Sequence, residues 1–221
     1  MKPLPKGWHQ MSIQTFQKYY TLITSKWGDD IDLEVNILAC LRDATIAQIE
    51  NMRMEDIKSD LSSLAWLKEM PSDTKIPIKF KCNGNTYKAA IIMEDQTAGQ
   101  FMNFSQILKD VKPSDYVYHM QELIGSMCTR YESGIFIEQG KVRIGRYRYD
   151  GYVKNSEEFL THLPFSKAYP FYLFFCEVIK RLSAPTQIFL IKELKKQIRS
   201  EKWARVKGRL KGLMSIGVGS R

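Results

Sequence analysis

Apolar residues recur every three or four positions through the first 70 residues, after which the period shortens to two. In SIQTFQKYYTLIT, Ile13, Phe16, Tyr20 and Ile23 line one face behind Ser12, whose hydroxyl suits an N-cap. DIDLEVNILACLR repeats the pattern with Ile31, Val35, Leu38 and Leu41. Thr45 and Gln48 have capping-box spacing at the start of TIAQIENM. MEDIKSDLSSLAWLKEMP puts Ile57, Leu61, Leu64 and Leu67 on one face and stops before Pro71. Four short helices are expected in residues 1–70.

IPIKFKCNGNTYKAAII then alternates Ile76, Ile78, Phe80 and Cys82 with polar neighbours, turns at Asn83-Gly84 and resumes at Tyr87, Ala89 and Ile91. Asn-Gly between alternating runs predicts a β-hairpin, and Pro77 marks its first strand as an edge. DQTAGQFMNFSQILKD reads as a helix with a Thr97/Gln100 capping box and the face Phe101, Phe104, Ile107, Leu108. A further helix is expected from Pro113 through YVYHMQELIGSMCTRY. GIFIEQGKVRIGRYRYDGY predicts a second hairpin, Gly134 to Tyr152, turning near Gln139-Gly140. A short helix should open at Asn155 or Ser156, an apolar segment runs from Pro164 to Leu182, and Pro185 opens a long basic helix. The fold class is α+β, mostly helical, with two β-hairpins and a long basic C-terminal helix. The expected division is a body, 1–182, and a basic amphipathic tail, 183–221. Within the body, residues 1–70 are the helical section and residues 75–182 the hairpin-plus-helix section. Internal repeats and low-complexity segments are lacking.

Charge sharpens that division. The chain carries +9, yet nine Lys/Arg against Glu193 and Glu201 fall between Lys192 and Lys211, and Arg221 brings this end to +8. Residues 1–191, with 23 basic and 22 acidic side chains, are almost neutral. On a helix Ile191, Leu194 and Ile198 share one face; Trp203, Val206, Leu210 and Leu213 share another, about 90° away. Thr186–Arg199 is expected to dock on the body, and the segment from Trp203 onward to be semi-independent. Lys195, Lys196, Arg199, Lys202, Arg205, Lys207, Arg209 and Lys211 are candidate contacts to phosphates or an acidic partner, with Trp203 a candidate partner contact. A partner groove, an anionic membrane surface, nucleic-acid phosphates and a merely solvated face all fit such a run.

At 44% apolar and 26% charged residues, the composition is that of an ordinary soluble domain. The N-terminus lacks the apolar stretch of a signal peptide, and AYPFYLFFCEVI falls short of the roughly 20 residues that span a bilayer. Cys40, Cys82, Cys128 and Cys176 are widely spaced in apolar settings, which predicts buried free thiols made in the cytoplasm and excludes a zinc pattern. His9, His119 and His162 lack obvious partners; His119 and Cys128 fall on opposite sides of one expected helix. DDIDLE, lacking the glycine and glutamate of a calcium loop, fits an acidic helix N-terminus. RIGRYRYDGY segregates arginines from tyrosines on a strand, expected of a structural strand rather than a nucleic-acid platform. With no nucleophile, phosphate-loop or metalloprotease signature, the chain is expected to be no enzyme and to take no cofactor or metal.

Five stretches, in this order, carry a resemblance: LPKGWHQMSIQTFQKYY, LAWLKEMPSD, FKCNGNTYKAAI, DQTAGQFMNFSQIL and FLTHLPFSKAYPFYLFF. Together, from about residue 3 to residue 180, they resemble small proteins of bacteriophages, mostly of Bacteroidetes hosts, described as tail assembly chaperones. The resemblance implies a non-enzymatic morphogenesis protein acting in the host cytoplasm on the tape measure protein or another tail component. Its client would meet aromatic or Met-rich surface, for which Phe101, Tyr169 and Tyr172 are the candidates. It leaves open whether the apolar segment packs inward or forms a homo-oligomer. Two features depart from the family: the elaborate Gly134–Tyr152 hairpin and everything beyond Ser183. They point to the alternative, a virion structural or cargo protein whose basic tail contacts DNA. An unrelated nucleic-acid-binding regulator would rest on the tail alone.

Overall fold

The computed structural model describes residues 1–138 and 141–181. The expected Gln139-Gly140 turn and the tail from 183, with Trp203 and the candidate cations from Lys195 to Lys211, lie outside the described residues.

Four of the helices open on a capping side chain. Ser12 accepts from the Thr15 amide and opens α1 (Ile13–Thr24); Asp29 accepts from Ile31 and opens α2 (Asp30–Arg42). Reciprocal capping boxes start α3 (Ile46–Glu50) at Thr45/Gln48 and α5 (Ala98–Asp110) at Thr97/Gln100. With α4 (Met54–Ser63), α6 (Met120–Met127), α7 (Tyr152–His162) and α8 (Phe165–Arg181), the described residues hold eight α-helices. Strands β1 (Lys79–Cys82), β2 (Asn85–Ala89), β3 (Cys128–Glu138) and β4 (Lys141–Arg148) form one antiparallel sheet in the order β1-β2-β3-β4. The fold is α+β, with the sheet made of two hairpins. The first turns at Asn83 and Gly84, with φ 46° and 76°, the left-handed pair that Asn-Gly supplies at low strain.

The long apolar segment turns inward as α8. Phe165 stacks on Phe16 (3.6 Å between centroids) beside Trp8 (5.1 Å), and Trp66 meets Trp8 edge-on at 4.9 Å. Two turns on, Phe171 reaches Phe80, which joins Tyr87 and Phe159 beneath the first hairpin. One turn later Phe175 meets Phe104 of α5. Phe165, Phe171 and Phe175 of α8 thus join aromatics from three distant parts of the sequence. Met11 and Phe165 close the junction by a 2.6 Å backbone hydrogen bond.

Several expectations change. The helix expected from Pro113 through Tyr131 is a short 3-10 turn, Pro113–Asp115, followed by α6, which ends at Met127. There the Met127 carbonyl accepts from Ala90, and Cys128–Arg130 pair with β2, so sheet pairing overrides helical continuation. The second hairpin therefore begins at Cys128 rather than Gly134. His119 precedes α6 instead of sharing a helix with Cys128, and it has a partner: its Nδ1 lies 3.0 Å from the Glu122 carboxylate. The helix expected to open at Asn155 or Ser156 opens three or four residues earlier, at Tyr152. Of Ile57, Leu61, Leu64 and Leu67 only Leu64 is buried; α4 ends at Ser63 and a 3-10 turn over Ala65–Lys68 takes Leu67 off the helical stripe. Ile76 and Ile78 precede β1, and Ile31, at the first turn of α2, is exposed.

Candidate partner-binding surfaces

Two surfaces gather apolar or aromatic side chains that keep contact with solvent. The first is a cluster of tyrosines. Tyr20 on α1 meets Tyr118, from the turn before α6, edge-on at 6.1 Å, and the Thr21 hydroxyl donates to the Tyr118 hydroxyl at 3.2 Å. Tyr169 and Tyr172 come from α8; Tyr169 leans on Phe165 at 5.7 Å. Burial pushes the Tyr172 hydroxyl up to about 12, helped by Cys176, Tyr20 and Tyr169 around it. All four tyrosines keep part of their surface in water. Of the sequence candidates, the fold gathers Tyr169 and Tyr172 here. Phe101, half-buried on α5, stacks on neither.

The second surface is the distal half of the β3–β4 hairpin. β2 pairs with β3 only from Cys128 to Arg130, so from Tyr131 outward the ribbon has two strands. Its root is pinned by polar contacts. Arg130 donates to Asn85 at 2.6 Å, and Asn85 donates in turn to the Glu158 carboxylate at 2.9 Å. Asn155 donates to the Cys128 carbonyl at 3.1 Å, and Asn103 to the Tyr149 hydroxyl at 2.6 Å. Above the root, Glu132 receives Arg146 (3.2 Å) and Arg148 (3.8 Å). A bulge between Glu132 and Ile135 faces Gly145, which holds φ at 75° and whose lack of a Cβ leaves room for the Tyr131 ring.

Beyond the bulge Ile135 pairs with Ile144 and Ile137 with Val142, so these four share one face. They are 77, 84, 76 and 68% exposed in that order. Phe136 pairs with Arg143 on the opposite face, where the Arg146 guanidinium lies 4.2 Å from the Phe136 ring centre. Arg143 and Arg146 of RIGRYRYDGY thus lie on the side away from the aliphatic four. The sequence signal of the aliphatic face is in GIFIE and KVRIG, alternating aliphatics that meet across the turn.

No group of three or more His, Cys, Asp or Glu side chains converges as a metal site among the described residues. Nor, among them, is any helix long and apolar enough to cross a membrane. Cys82 and Cys128 are buried free thiols, held protonated because burial raises both, Cys82 to about 12. Comparison with protein-family models, curated proteins and solved structures returned no match.

Proposed function

We propose that the chain is a non-enzymatic phage morphogenesis protein, a tail assembly chaperone that acts in the host cytoplasm and binds the tape measure protein or another tail component. The observation that carries the binding role is the cluster of Tyr20, Tyr118, Tyr169 and Tyr172, drawn from three separated segments into one half-exposed patch. Tyrosine presents a large, rigid, amphipathic surface at low entropic cost, which is why it is enriched where proteins bind proteins. The phage assignment rests on the five stretches that resemble the chaperone family. Four of them supply the paired rings Trp8, Phe16, Trp66, Phe80, Tyr87, Phe159 and Phe165 of the core.

The test is co-purification of the full-length protein with the tape measure protein, comparing the wild type with Tyr169→Ala/Tyr172→Ala. A loss of at least about tenfold in affinity is expected for truncating two central interface tyrosines. Unchanged capture by a folded double variant removes the tyrosine patch from the reading. Mass spectrometry of purified virions tests the role itself. A chaperone that acts and leaves is abundant in the lysate and absent from particles, whereas a fixed copy number per particle overturns this reading.

The charge of the C-terminal run supports the second reading, a virion structural or cargo protein that contacts DNA. Nine basic residues between Lys192 and Lys211 would make DNA binding fall steeply with salt between about 50 and 200 mM. Full-length protein that ignores DNA at low salt ends that alternative.

A further inference from the structure

We propose that the aliphatic face of the β3–β4 arm is a self-association surface, covered in solution by the same face of a second copy. This goes beyond the client-binding reading, because the arm and the tyrosine patch have no residue in common.

A two-stranded ribbon in water is marginally stable by itself and holds when its apolar face is packed. Here Ile135, Ile137, Val142 and Ile144 leave between 68 and 84% of their surface in solvent. The face bears no charged or hydrogen-bonding side chain among these four positions, so it offers an acidic or polar partner nothing to pair with. An aliphatic face of the same spacing and twist fits it, and a second copy supplies one. Stacked face to face, the two ribbons make a small sandwich with the aliphatics inside, while Phe136 and Arg143 of both copies point outward.

The other way for two arms to meet is along the free edge of β4, and there charge opposes it. Antiparallel pairing of β4 with its copy in full overlap places Arg143 opposite Arg146, and like charges directly opposite destabilise a sheet. The chain's own C-terminal segment is a poor occupant for a related reason. It carries +8, and residues 128–148 hold five basic and two acidic side chains. Area bounds the contact. Each buried aliphatic removes on the order of 100 Å² of apolar surface, so eight of them reach roughly 800 Å². Specific interfaces begin near about 1,000 Å², so a weak, reversible dimer of micromolar affinity is expected.

The experiment is sedimentation equilibrium of the full-length protein from about 1 to 100 μM, bracketing that affinity. A monomer–dimer equilibrium is expected, tightening as salt rises because both arms carry net positive charge. Ile144→Lys, at an exposed position, should leave the circular dichroism unchanged and raise the dissociation constant about 100-fold or more, since it buries a charge in an apolar interface. Arg143→Glu should tighten dimerisation only slightly if the faces meet, by easing the general repulsion between the arms, and markedly if the β4 edges pair and set it opposite Arg146. In the unaltered protein, amides 135–137 and 142–144 should lose exchange protection on dilution. A protein that stays monomeric at about 100 μM overturns the proposal, whatever then covers the face. So does a dimer that Ile144→Lys leaves intact. Client capture is scored separately with the tyrosine variants, so either idea can fail alone.

Discussion

The two hairpins of the one sheet start from the same sequence pattern and end differently. In the first, Phe80, Cys82, Tyr87 and Ala89 alternate with Lys79, Lys81 and Lys88, and every member of the apolar set is buried. Phe159 of α7 closes over it, 4.7 Å from Tyr87 and 5.6 Å from Phe80. In the second, Ile135, Ile137, Val142 and Ile144 alternate as regularly, and no part of the described chain covers them. Period-two alternation therefore states which side chains share a face and leaves unsaid what lies against it. For the first hairpin the answer is intramolecular, because α7 and α8 bring large aromatics to it. For the second the strand outruns β2 at Arg130, and the ribbon continues as two strands for a distance on the order of 20 Å.

The largest expected effect breaks the first member of that pair. Phe159→Ala removes a fully buried ring shared by Phe80 and Tyr87, and should cost about 3–5 kcal/mol of global stability by denaturant titration. The matching truncation in the arm, Ile137→Ala, should change monomer stability by less than about 0.5 kcal/mol, measured at protein concentrations too low for association. If the two variants cost the same, the arm's face is packed against the body and the contrast between hairpins is false.

A second experiment separates arm from body. Gly145 holds φ at 75°, and a Cβ there would fall on the Tyr131 hydroxyl. Gly145→Ala should therefore cost on the order of 1–3 kcal/mol, confined to the ribbon. Amide exchange should rise across 131–138 and 141–147, while the Phe80–Phe159 cluster keeps its protection. Global unfolding at lower denaturant would mean that ribbon and body fold as one unit.

Much of this architecture is legible in the sequence, and the exceptions share a cause. The capping boxes at Thr45 and Thr97, the Ser12 cap and the Asn83-Gly84 turn stand where the sequence predicts them, because each depends on residues within four positions. The start of β3 is not legible, because MCTRY has no local strand signal strong enough to end a helix. Pairing with β2, about forty residues earlier in the chain, decides it. Burial is harder again. Leu61 and Leu64 lie on the same expected stripe, yet only Leu64 is buried. The site is legible in one half. Tyr169 and Tyr172 follow from the apolar segment, whereas their neighbours Tyr118 and Tyr20 come from segments about fifty and one hundred and fifty residues upstream, and only the fold brings them together.

The smallest effect at ordinary pH comes from the protons each hairpin holds. Beneath the first, burial lifts the Cys82 thiol from its usual 9.0 to about 12, with the Glu158 carboxylate adding to the shift, and burial also raises Tyr87. A folded-state pKa above the unfolded one means that the unfolded chain releases its proton first. The stabilisation is therefore complete below about pH 9 and is lost as pH climbs toward about 12. The face of the second hairpin is purely aliphatic at Ile135, Ile137, Val142 and Ile144, so it has no proton to lose. Denaturant midpoints of the full-length protein should be flat from neutral pH to about 9 and then decline, and Cys82→Ala should shallow that decline. An unchanged slope in Cys82→Ala would place the alkaline sensitivity elsewhere, with Cys128 the next thiol to test, because burial raises it in the same way. Arm self-association should persist through the lower end of this range. If it is lost in step with the midpoint, the ribbon depends on the first hairpin for its shape, and the two hairpins behave as one sheet rather than as a packed half and an open half.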